Sequence, residues 1–233
     1  MERLFSVKLR LACLLARRLI AGRRVRTKFK GMKILVSRGV FNPKWGFSTA
    51  ALIELLSRRK NEIYRKRIAD AGTGCGAVLV ALGVMRASNW LVGCDIDISS
   101  LKDAVENSKA NLVYGYVDLV ACDWLSAFRR ESFDVVVSNP PYLPLEPSDE
   151  REKTIFAGVG ARELLRLVES AYTALRRHSF LFFTVSSLTP FERIRERLVD
   201  LGFTYARTPV TRTFFDKIFV VEAQLIVKDS TKR

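Results

Sequence analysis

The stretch Arg67-Ile-Ala-Asp-Ala-Gly-Thr-Gly-Cys-Gly76 joins a short apolar run to three closely spaced glycines, and apolar residues 77–85 follow it. This pattern predicts a strand, a tight glycine turn and a helix. The same alternation continues along the chain. Further strands are predicted at 90–95, 117–122, 133–138, 180–185 and 218–227, and further helices at 48–59, 99–110, 163–175 and 191–201. Alternation of this kind predicts an α/β fold with a mainly parallel sheet and helices on both faces.

Ligands of such sheets bind beyond the carboxyl ends of the strands, so the residues at those ends are the candidates for function. The first strand ends at Asp70 and the glycine turn of Gly72, Thr73, Gly74 and Gly76. The glycines let a ligand approach the backbone, although a plain turn between strand and helix has the same composition. A carboxylate at residue 70 would attract an ammonium group and repel a pyrophosphate.

The next two strand ends also carry carboxylates. Asp95 and Ile96 follow the strand at 90–95, at a spacing typical of a carboxylate that binds a ribose diol. The alternative for Asp95 and Asp97 is capping of the helix that begins at Ser99. Asp123 ends the third strand and could accept a hydrogen bond from an adenine amino group, with Trp124 against the ring. The alternative for Asp123 is again a cap or a turn.

The fourth strand end reads Asn139-Pro140-Pro141-Tyr142. The prolines lack backbone donors and stiffen the chain, Asn139 adds a side-chain carbonyl, and Tyr142 adds an aromatic face. Rigid acceptors beside a stacking surface suit a flat group that carries an NH2, such as a side-chain amide or an adenine amine. The alternative is a proline-stiffened turn. A binding site is favoured because the other three strand ends also carry candidate binding residues.

These four strand ends resemble those of class I S-adenosylmethionine-dependent methyltransferases that act on planar nitrogens. More narrowly, the chain is similar to the HemK-type release-factor glutamine methyltransferases in their compact archaeal and eukaryotic form. Residues 40–49 and 156–163 resemble two further segments of that family. The chain departs from the family pattern in two places. The family has an acidic residue shortly before the threonine, where this chain has Gly46, Phe47 and Ser48 before Thr49, and Val159 interrupts the glycine-rich segment.

The resemblance implies a Rossmann-like fold with a seven-stranded sheet whose last strand is antiparallel, and S-adenosylmethionine as the cofactor. It implies that Asn139, Pro140 and Tyr142 are catalytic and that Asn139, Pro140, Pro141 and Tyr142 bind the substrate. The cofactor-binding residues that it implies are Asp70, Gly72, Thr73, Gly74, Gly76, Asp95, Ile96, Asp123, Trp124 and Asn139, with Phe41, Pro43 and Thr49 from the N-terminal segment.

Three functions agree with this pattern. The first is methylation of the glutamine in the Gly-Gly-Gln motif of a class-one translation release factor, with a small zinc-binding activator protein as a possible partner. Residues 90–92 are either an exposed strand edge for that activator or a buried strand. The second function is N6-methylation of adenine in RNA or DNA, and the third is a non-catalytic binding module that keeps the fold.

Charge is concentrated at the N-terminus. Residues 1–30 hold ten Lys and Arg and one Glu, +9 of a net charge of +15. We expect residues 1–33 to be a basic arm or amphipathic helix that contacts RNA or remains solvated, and residues 34–233 to be the methyltransferase domain. Met32 offers an alternative start that would omit the arm. The acidic loop 146–152 is expected to be a solvated lid.

The remaining composition limits the chemistry. The four cysteines show no paired spacing, so no metal site is predicted, and they suit a reducing cytoplasm. No apolar run approaches the length of a membrane span. The single histidine, His178, follows a predicted helix and is not expected to act in catalysis.

Overall fold

The computed structural model describes residues 2–20, 23–44, 46–212 and 216–226. Seven strands form its central sheet, in the spatial order β5-β4-β3-β6-β7-β9-β8. They are β3 (Lys66–Ala71), β4 (Ser88–Asp95), β5 (Val117–Ala121), β6 (Phe133–Ser138), β7 (Leu175–Ser186), β8 (Phe203–Arg212) and β9 (Lys217–Leu225). Among these seven strands, β9 runs in the opposite direction to the other six and pairs antiparallel with β7 and β8. The predicted seven-stranded, mainly parallel sheet with an antiparallel last strand is confirmed.

Helices cover both faces of the sheet, as predicted. They are α2 (Phe47–Arg58), α3 (Lys60–Ile63), α4 (Ala77–Val84), α5 (Ile98–Ala110), α6 (Arg162–Ala174) and α7 (Phe191–Asp200). Successive strand residues alternate between two apolar cores. Ile68 and Val135 face the core that contains α2 and α4, whereas Ala69 and Val136 face the core that contains α6 and α7. Strands buried on both faces need apolar residues throughout, which is what their sequences provide.

Residues 90–92 belong to an interior strand. β4 lies between β3 and β5, Leu91 and Val92 are buried, and the Trp90 ring stacks on Phe133 at 5.3 Å. The buried-strand alternative is therefore the correct one, and these residues do not form an exposed edge for a partner.

Three strands and the short helix α3 were not predicted. A hairpin of β1 (Val25–Phe29) and β2 (Met32–Val36) precedes the domain, and β8 forms one edge of the sheet. β8 contains Pro209, which cannot donate a hydrogen bond to a ladder. An edge strand tolerates it, and the pairing with β9 shifts register between Pro209 and Thr211. Phe214 and Phe215, expected to form a corner, and Val227, the expected end of the last strand, lie outside the described residues.

The N-terminal segment contains a long helix, α1 (Glu2–Ile20), and the hairpin. The expected domain boundary after residue 33 falls within β2. The buried side chain of Asn107, on α5, fastens the hairpin: its Oδ1 accepts from Leu35 N at 2.6 Å, and its Nδ2 donates to Leu35 O at 2.8 Å and to Cys75 O at 2.7 Å. One residue therefore ties β2 to the glycine turn. No helix in the part of the chain that the structure describes combines the length and apolar character that a bilayer span requires.

Candidate active site

A cavity of about 1350 Å³ opens at the carboxyl ends of the parallel strands. Nearly all of the residues predicted for the site line it. They are Phe41, Pro43, Thr49, Asp70, Gly72, Thr73, Gly74, Asp95, Ile96, Asp123, Trp124, Asn139, Pro140, Pro141 and Tyr142. The cavity is larger than the usual range for one small ligand, roughly 300–1000 Å³, so it has room for a cofactor and part of a substrate.

Gly76 is the predicted residue that does not line the cavity. It precedes α4 with φ +78°, and a Cβ added there would lie 2.9 Å from the Ala104 Cβ of α5. Gly76 is therefore required for the left-handed backbone and for the close approach of α5. The glycine turn is also joined to β4, because Thr73 N donates to Cys94 O at 2.9 Å.

Asp70 is a buried carboxylate, 1 % exposed, at the end of β3. Its Oδ2 accepts from Thr73 Oγ1 at 2.7 Å and from Leu79 N at 3.0 Å. Burial raises the pKa of Asp70 to about 7, despite these two hydrogen bonds. No Lys or Arg of the described residues lies within ion-pair distance of it. A buried carboxylate without a countercharge is suited to a cationic ligand.

Asp95 and Asp97 have different roles. Asp97 caps α5, accepting from Ser99 N at 2.9 Å and Ser100 N at 3.1 Å. Asp95 does not cap the helix. Its Oδ2 accepts from Gly74 N at 2.8 Å, and its Oδ1 accepts from Asp97 N at 2.9 Å. These bonds fix the carboxylate beside the glycine turn, and burial raises the pKa of Asp95. Ile96 is 71 % exposed at the cavity mouth and offers an apolar edge to a ligand.

Asp123 is paired within the protein. Its carboxylate forms an ion pair with Arg166 of α6, which also binds Glu163 at 2.8 Å. The Trp124 indole Nε1 donates to Glu163 at 3.4 Å, and its backbone has φ +48°. The ring lies beside the turn, because a Cβ at Gly72 would be 3.4 Å from it. This network fixes Trp124 as a wall of the cavity, and an adenine amine would have to share Asp123 with Arg166.

The Asn139 side chain is oriented from two sides. Thr184 Oγ1, buried on β7, donates to Asn139 Oδ1 at 2.6 Å. Asn139 Nδ2 donates to Thr49 Oγ1 at 3.0 Å. The amide is thereby held with its oxygen still able to accept a second hydrogen bond. None of the hydrogen bonds among the described residues ends on the carbonyl of the next residue, Pro140, so that carbonyl is a second acceptor available to a ligand.

Tyr142 is also held in place. Thr189 Oγ1 donates to the Tyr142 carbonyl at 2.9 Å, and the phenol donates to Ser48 at a long 3.5 Å. Burial, with a smaller contribution from the charge of Asp216, raises the pKa of Tyr142 to about 12. The phenol is therefore neutral at physiological pH, and its ring lines the cavity.

The N-terminal segment lines the cavity beside the glycine turn, where Cys75 Sγ donates to the Phe41 carbonyl at 4.0 Å. The ring of Phe41 lies against Gly46, where an added Cβ would be 2.3 Å from a ring carbon. Thr49 belongs to the first turn of α2, which brings its hydroxyl to Asn139. The cavity that contains Asn139 is therefore also lined by Phe41, Pro43 and Thr49.

Two functional positions were missed from the sequence. Thr184 orients Asn139, and Gly93 leaves room for the glycine turn, since a Cβ there would lie 2.7 Å from Leu79 and 3.1 Å from Thr73 Oγ1. The available signal was Thr184 as the single polar residue of the run 180–185, and Gly93 as the single glycine of the run 90–94. Such residues in a buried strand need a partner or a close neighbour.

The residues present fit S-adenosylmethionine, which carries an ammonium and a sulfonium charge. The strand ends supply the carboxylates of Asp70, Asp95 and Asp123, and Asp70 has no countercharge within the described part of the chain. These charges would repel the phosphates of a dinucleotide. The fold and the site therefore define a Rossmann-like methyltransferase.

The chain belongs to the methyltransferase small domain family, whose model matches residues 31–199. Several curated relatives are named release factor glutamine methyltransferase. Those of Xylella fastidiosa (strain 9a5c) and Bradyrhizobium diazoefficiens are 31 % and 35 % identical over 118 and 144 residues. The matches cover 51 % and 55 % of this chain, and 42 % and 45 % of the relatives. The chain thus spans less than half the length of these two relatives.

Solved structures agree on the fold. The 16S rRNA N2 G1207 methyltransferase of T. thermophilus, in complex with AdoMet and guanosine, matches with a TM-score of 0.63 and 21 % identity, over 87 % of this chain and 50 % of that chain. A methyltransferase from Pyrococcus furiosus matches with a TM-score of 0.60 and 17 % identity, over 94 % and 98 % of the two chains. The predicted class, a methyltransferase that uses S-adenosylmethionine, is confirmed by the family and its named relatives.

Proposed function

We propose that this protein transfers a methyl group from S-adenosylmethionine to the side-chain amide nitrogen of the glutamine in the Gly-Gly-Gln motif of a class-one translation release factor. The observation that carries the proposal is the oriented acceptor pair, Asn139 Oδ1 and the Pro140 carbonyl, in the same cavity as the cofactor residues. The relatives named release factor glutamine methyltransferase support glutamine as the target.

The acceptor pair would bind the two N–H groups of the target amide. As the nitrogen attacks, it gains positive charge, and both acceptors then bind it more strongly than in the ground state. Tyr142 would stack on the amide plane and exclude water. When bound, S-adenosylmethionine would supply an already activated methyl group and leave as S-adenosylhomocysteine. The methylated nitrogen would then lose one proton to water, so no strongly basic side chain is required. The single histidine, His178, lies exposed in the first half of β7 and does not line the cavity.

The cofactor would be held by charge and by shape. Asp70 would bind its ammonium group and Asp95 its ribose diol, with Trp124 and Ile96 on either side of the adenine. The glycine turn allows its backbone to approach. Most of the rate acceleration would come from orientation, because the protein need only hold the methyl donor and the target nitrogen in line.

The alternative substrate is the N6 amine of adenine in RNA or DNA. The same acceptor pair fits that amine, and the hairpin supports contact with RNA. Six exposed cations in the hairpin or just before it form no ion pair with the described residues: Arg23, Arg24, Arg26, Lys28, Lys30 and Lys33. We keep glutamine as the proposed target because the named relatives favour it. We propose that the hairpin contacts RNA during translation termination, in the cytoplasm.

A small zinc-binding activator remains part of the proposal. The edge strand β5 is open on one side, and large side chains exposed just before it are Leu112, Tyr114 and Tyr116. An exposed edge with apolar residues is a typical site for pairing with another chain. We propose that the activator binds at the edge of β5 rather than at residues 90–92.

The experiment uses radiolabelled S-adenosylmethionine and the purified chain, with and without a coexpressed activator. Release factor and total RNA from the same source are offered in separate reactions. Label in the release factor, lost when its Gly-Gly-Gln glutamine is replaced, is the expected result. Label in RNA alone would overturn the glutamine assignment and establish the adenine alternative.

A further inference from the structure

α1 reaches the active-site cavity. Ala12, Leu15 and Ala16 line it together with Tyr142. The match to the methyltransferase small domain family begins only at residue 31, so α1 lies outside the region that the chain shares with that family. A helix that precedes the shared domain therefore supplies part of the active-site wall.

α1 is packed onto the segment that follows Tyr142. Cys13 is 3 % exposed and belongs to an apolar cluster with Leu143, Ile155, Phe156 and Leu188. Burial of this kind places the helix firmly, because each buried apolar side chain contributes to docking. Ala12 and Ala16 flank Cys13 and pack against the same cluster.

A polar contact fixes the position of the helix along this segment. Arg17 Nε donates to Glu152 Oε1 at 2.6 Å, and the guanidinium lies 5.3 Å from the centre of the Phe156 ring. Glu152 is 8 % exposed and also accepts from Ser148 N at 2.7 Å. The expectation of a solvated acidic loop is therefore wrong for Glu152, which holds α1 and the loop together.

The cavity consequently has two chemically different parts. The carboxylates lie at the strand ends around the glycine turn, where the cofactor fits. The part bounded by α1, Tyr142, Ile155 and Phe156 presents apolar side chains, and Arg151 and Lys153 of the adjoining loop also line the cavity. Apolar side chains of a peptide suit the wall formed by α1, because burial against Ala12, Leu15 and Ala16 would remove their surface from water.

We propose that α1 forms one wall of the site for the peptide segment that flanks the target residue, and that Leu15 is a specificity-determining contact. This inference rests on the proposed function, and it names the region outside the shared family domain that recognises the protein substrate. Leu15 is 46 % exposed, so it is available to a ligand without being needed for the fold.

Leu15→Ala and Leu14→Ala make a matched pair. The two leucines are adjacent on one helix and both largely exposed, 46 % and 57 %, but only Leu15 lines the cavity. Affinity for purified release factor is measured in the presence of S-adenosylhomocysteine, which permits binding without turnover. Affinity for S-adenosylhomocysteine itself is measured for the same proteins.

We expect Leu15→Ala to weaken binding of the release factor about tenfold, the effect of a few methylene groups in an apolar pocket. Leu14→Ala should stay within about twofold of the unchanged chain, and both variants should bind S-adenosylhomocysteine normally. Ala12→Leu, which narrows the cavity and keeps a strong helix former, should also weaken release-factor binding.

Equal release-factor affinity in Leu15→Ala and Leu14→Ala would overturn the role of α1, as would tighter binding by Ala12→Leu. If the unchanged chain neither binds nor methylates the release factor, both the proposed function and this inference are wrong. If the unchanged chain methylates the release factor while the two leucine variants remain alike, only the inference about α1 fails.

Discussion

Asn139 is the residue on which the proposed chemistry depends, because its side-chain oxygen is an acceptor held in place before the substrate arrives. We expect Asn139→Ala to lower the methyl-transfer rate by roughly 10²–10³, the usual cost of losing one preorganised hydrogen-bonding group. Cofactor affinity should change little. Single-turnover rates at saturating cofactor, with a separate binding measurement, test both statements, and near-normal turnover would refute the acceptor role.

Thr184 is a positioning residue, since it acts through Asn139 and is buried away from the substrate. Thr184→Val keeps the shape but removes the donor to Asn139 Oδ1. Loss of one hydrogen bond worth about 1 kcal/mol should lower kcat about fivefold while KM for the cofactor stays unchanged. Thr184→Ser restores the hydroxyl and should recover most of the rate. A similar loss of kcat in the serine variant would point to packing instead.

Asp70 should make cofactor binding depend on pH. Burial raises its pKa to about 7 from an ordinary 3.8, so the carboxylate is largely protonated at pH 6 and charged at pH 8. Affinity for S-adenosylmethionine should therefore rise between pH 6 and pH 8, and Asp70→Asn should bind more weakly with a flatter profile. The dissociation constant measured at several pH values tests this, and parallel profiles for the two proteins would contradict it.

The raised pKa of Asp70 also affects the stability of the fold, which decreases as the pH rises. The folded protein holds the Asp70 proton more tightly than the unfolded chain does. The contribution of Asp70 to the free energy of unfolding is therefore full below about pH 4 and is lost as the pH rises to about 7. Without a cationic ligand the charged carboxylate is a cost, which a bound ammonium group would offset.

At the scale of elements, the glycine turn and α5 are packed too closely for a side chain at residue 76. Gly76→Ala should lower the free energy of unfolding by roughly 2–4 kcal/mol, since it adds a steric contact with Ala104 to an unfavourable left-handed backbone. Gly74→Ala is the matched control: its φ is +55°, but nothing lies within 4 Å of the added Cβ. Equal denaturation midpoints for the two variants would contradict the packing argument.

The elements that the sequence predicted well are those with one dominant signal. Strands such as β6, apolar along their length between turn residues, were recognisable without any tertiary information. The hairpin was missed because its basic residues hide the alternation of Phe29, Met32 and Ile34, which are buried only by contact with distant helices. β8 was missed because Pro209 is acceptable only at a sheet edge, and the edge is a property of the whole topology.

The candidate site shows the same division between local and distant information. Strand ends meet at one side of a parallel sheet, so Asp70, Asp95 and Asn139 could be grouped from the order of the elements alone. The pairing of Asp123 with Arg166, and the contact of Thr184 with Asn139, depend on side-chain positions separated by more than 40 residues. No local pattern encodes such contacts.

At the scale of the whole molecule, the N-terminal charge is divided between two structures. α1 lies against the cavity, where Arg17 is paired with Glu152, whereas the exposed cations of the hairpin have no acidic partner among the described residues. One segment therefore combines an apolar wall at the active site with a separate basic surface. This arrangement suits a substrate that is a protein working beside RNA.

The measurement that tests the central claim most directly is the position of the transferred methyl group. Release factor treated with the chain and S-adenosylmethionine is digested, and the peptide that carries the Gly-Gly-Gln motif is fragmented in a mass spectrometer. The account predicts one added methyl group on the glutamine side-chain nitrogen, absent with Asn139→Ala. A methyl group on another residue, or only on adenine in accompanying RNA, would contradict it.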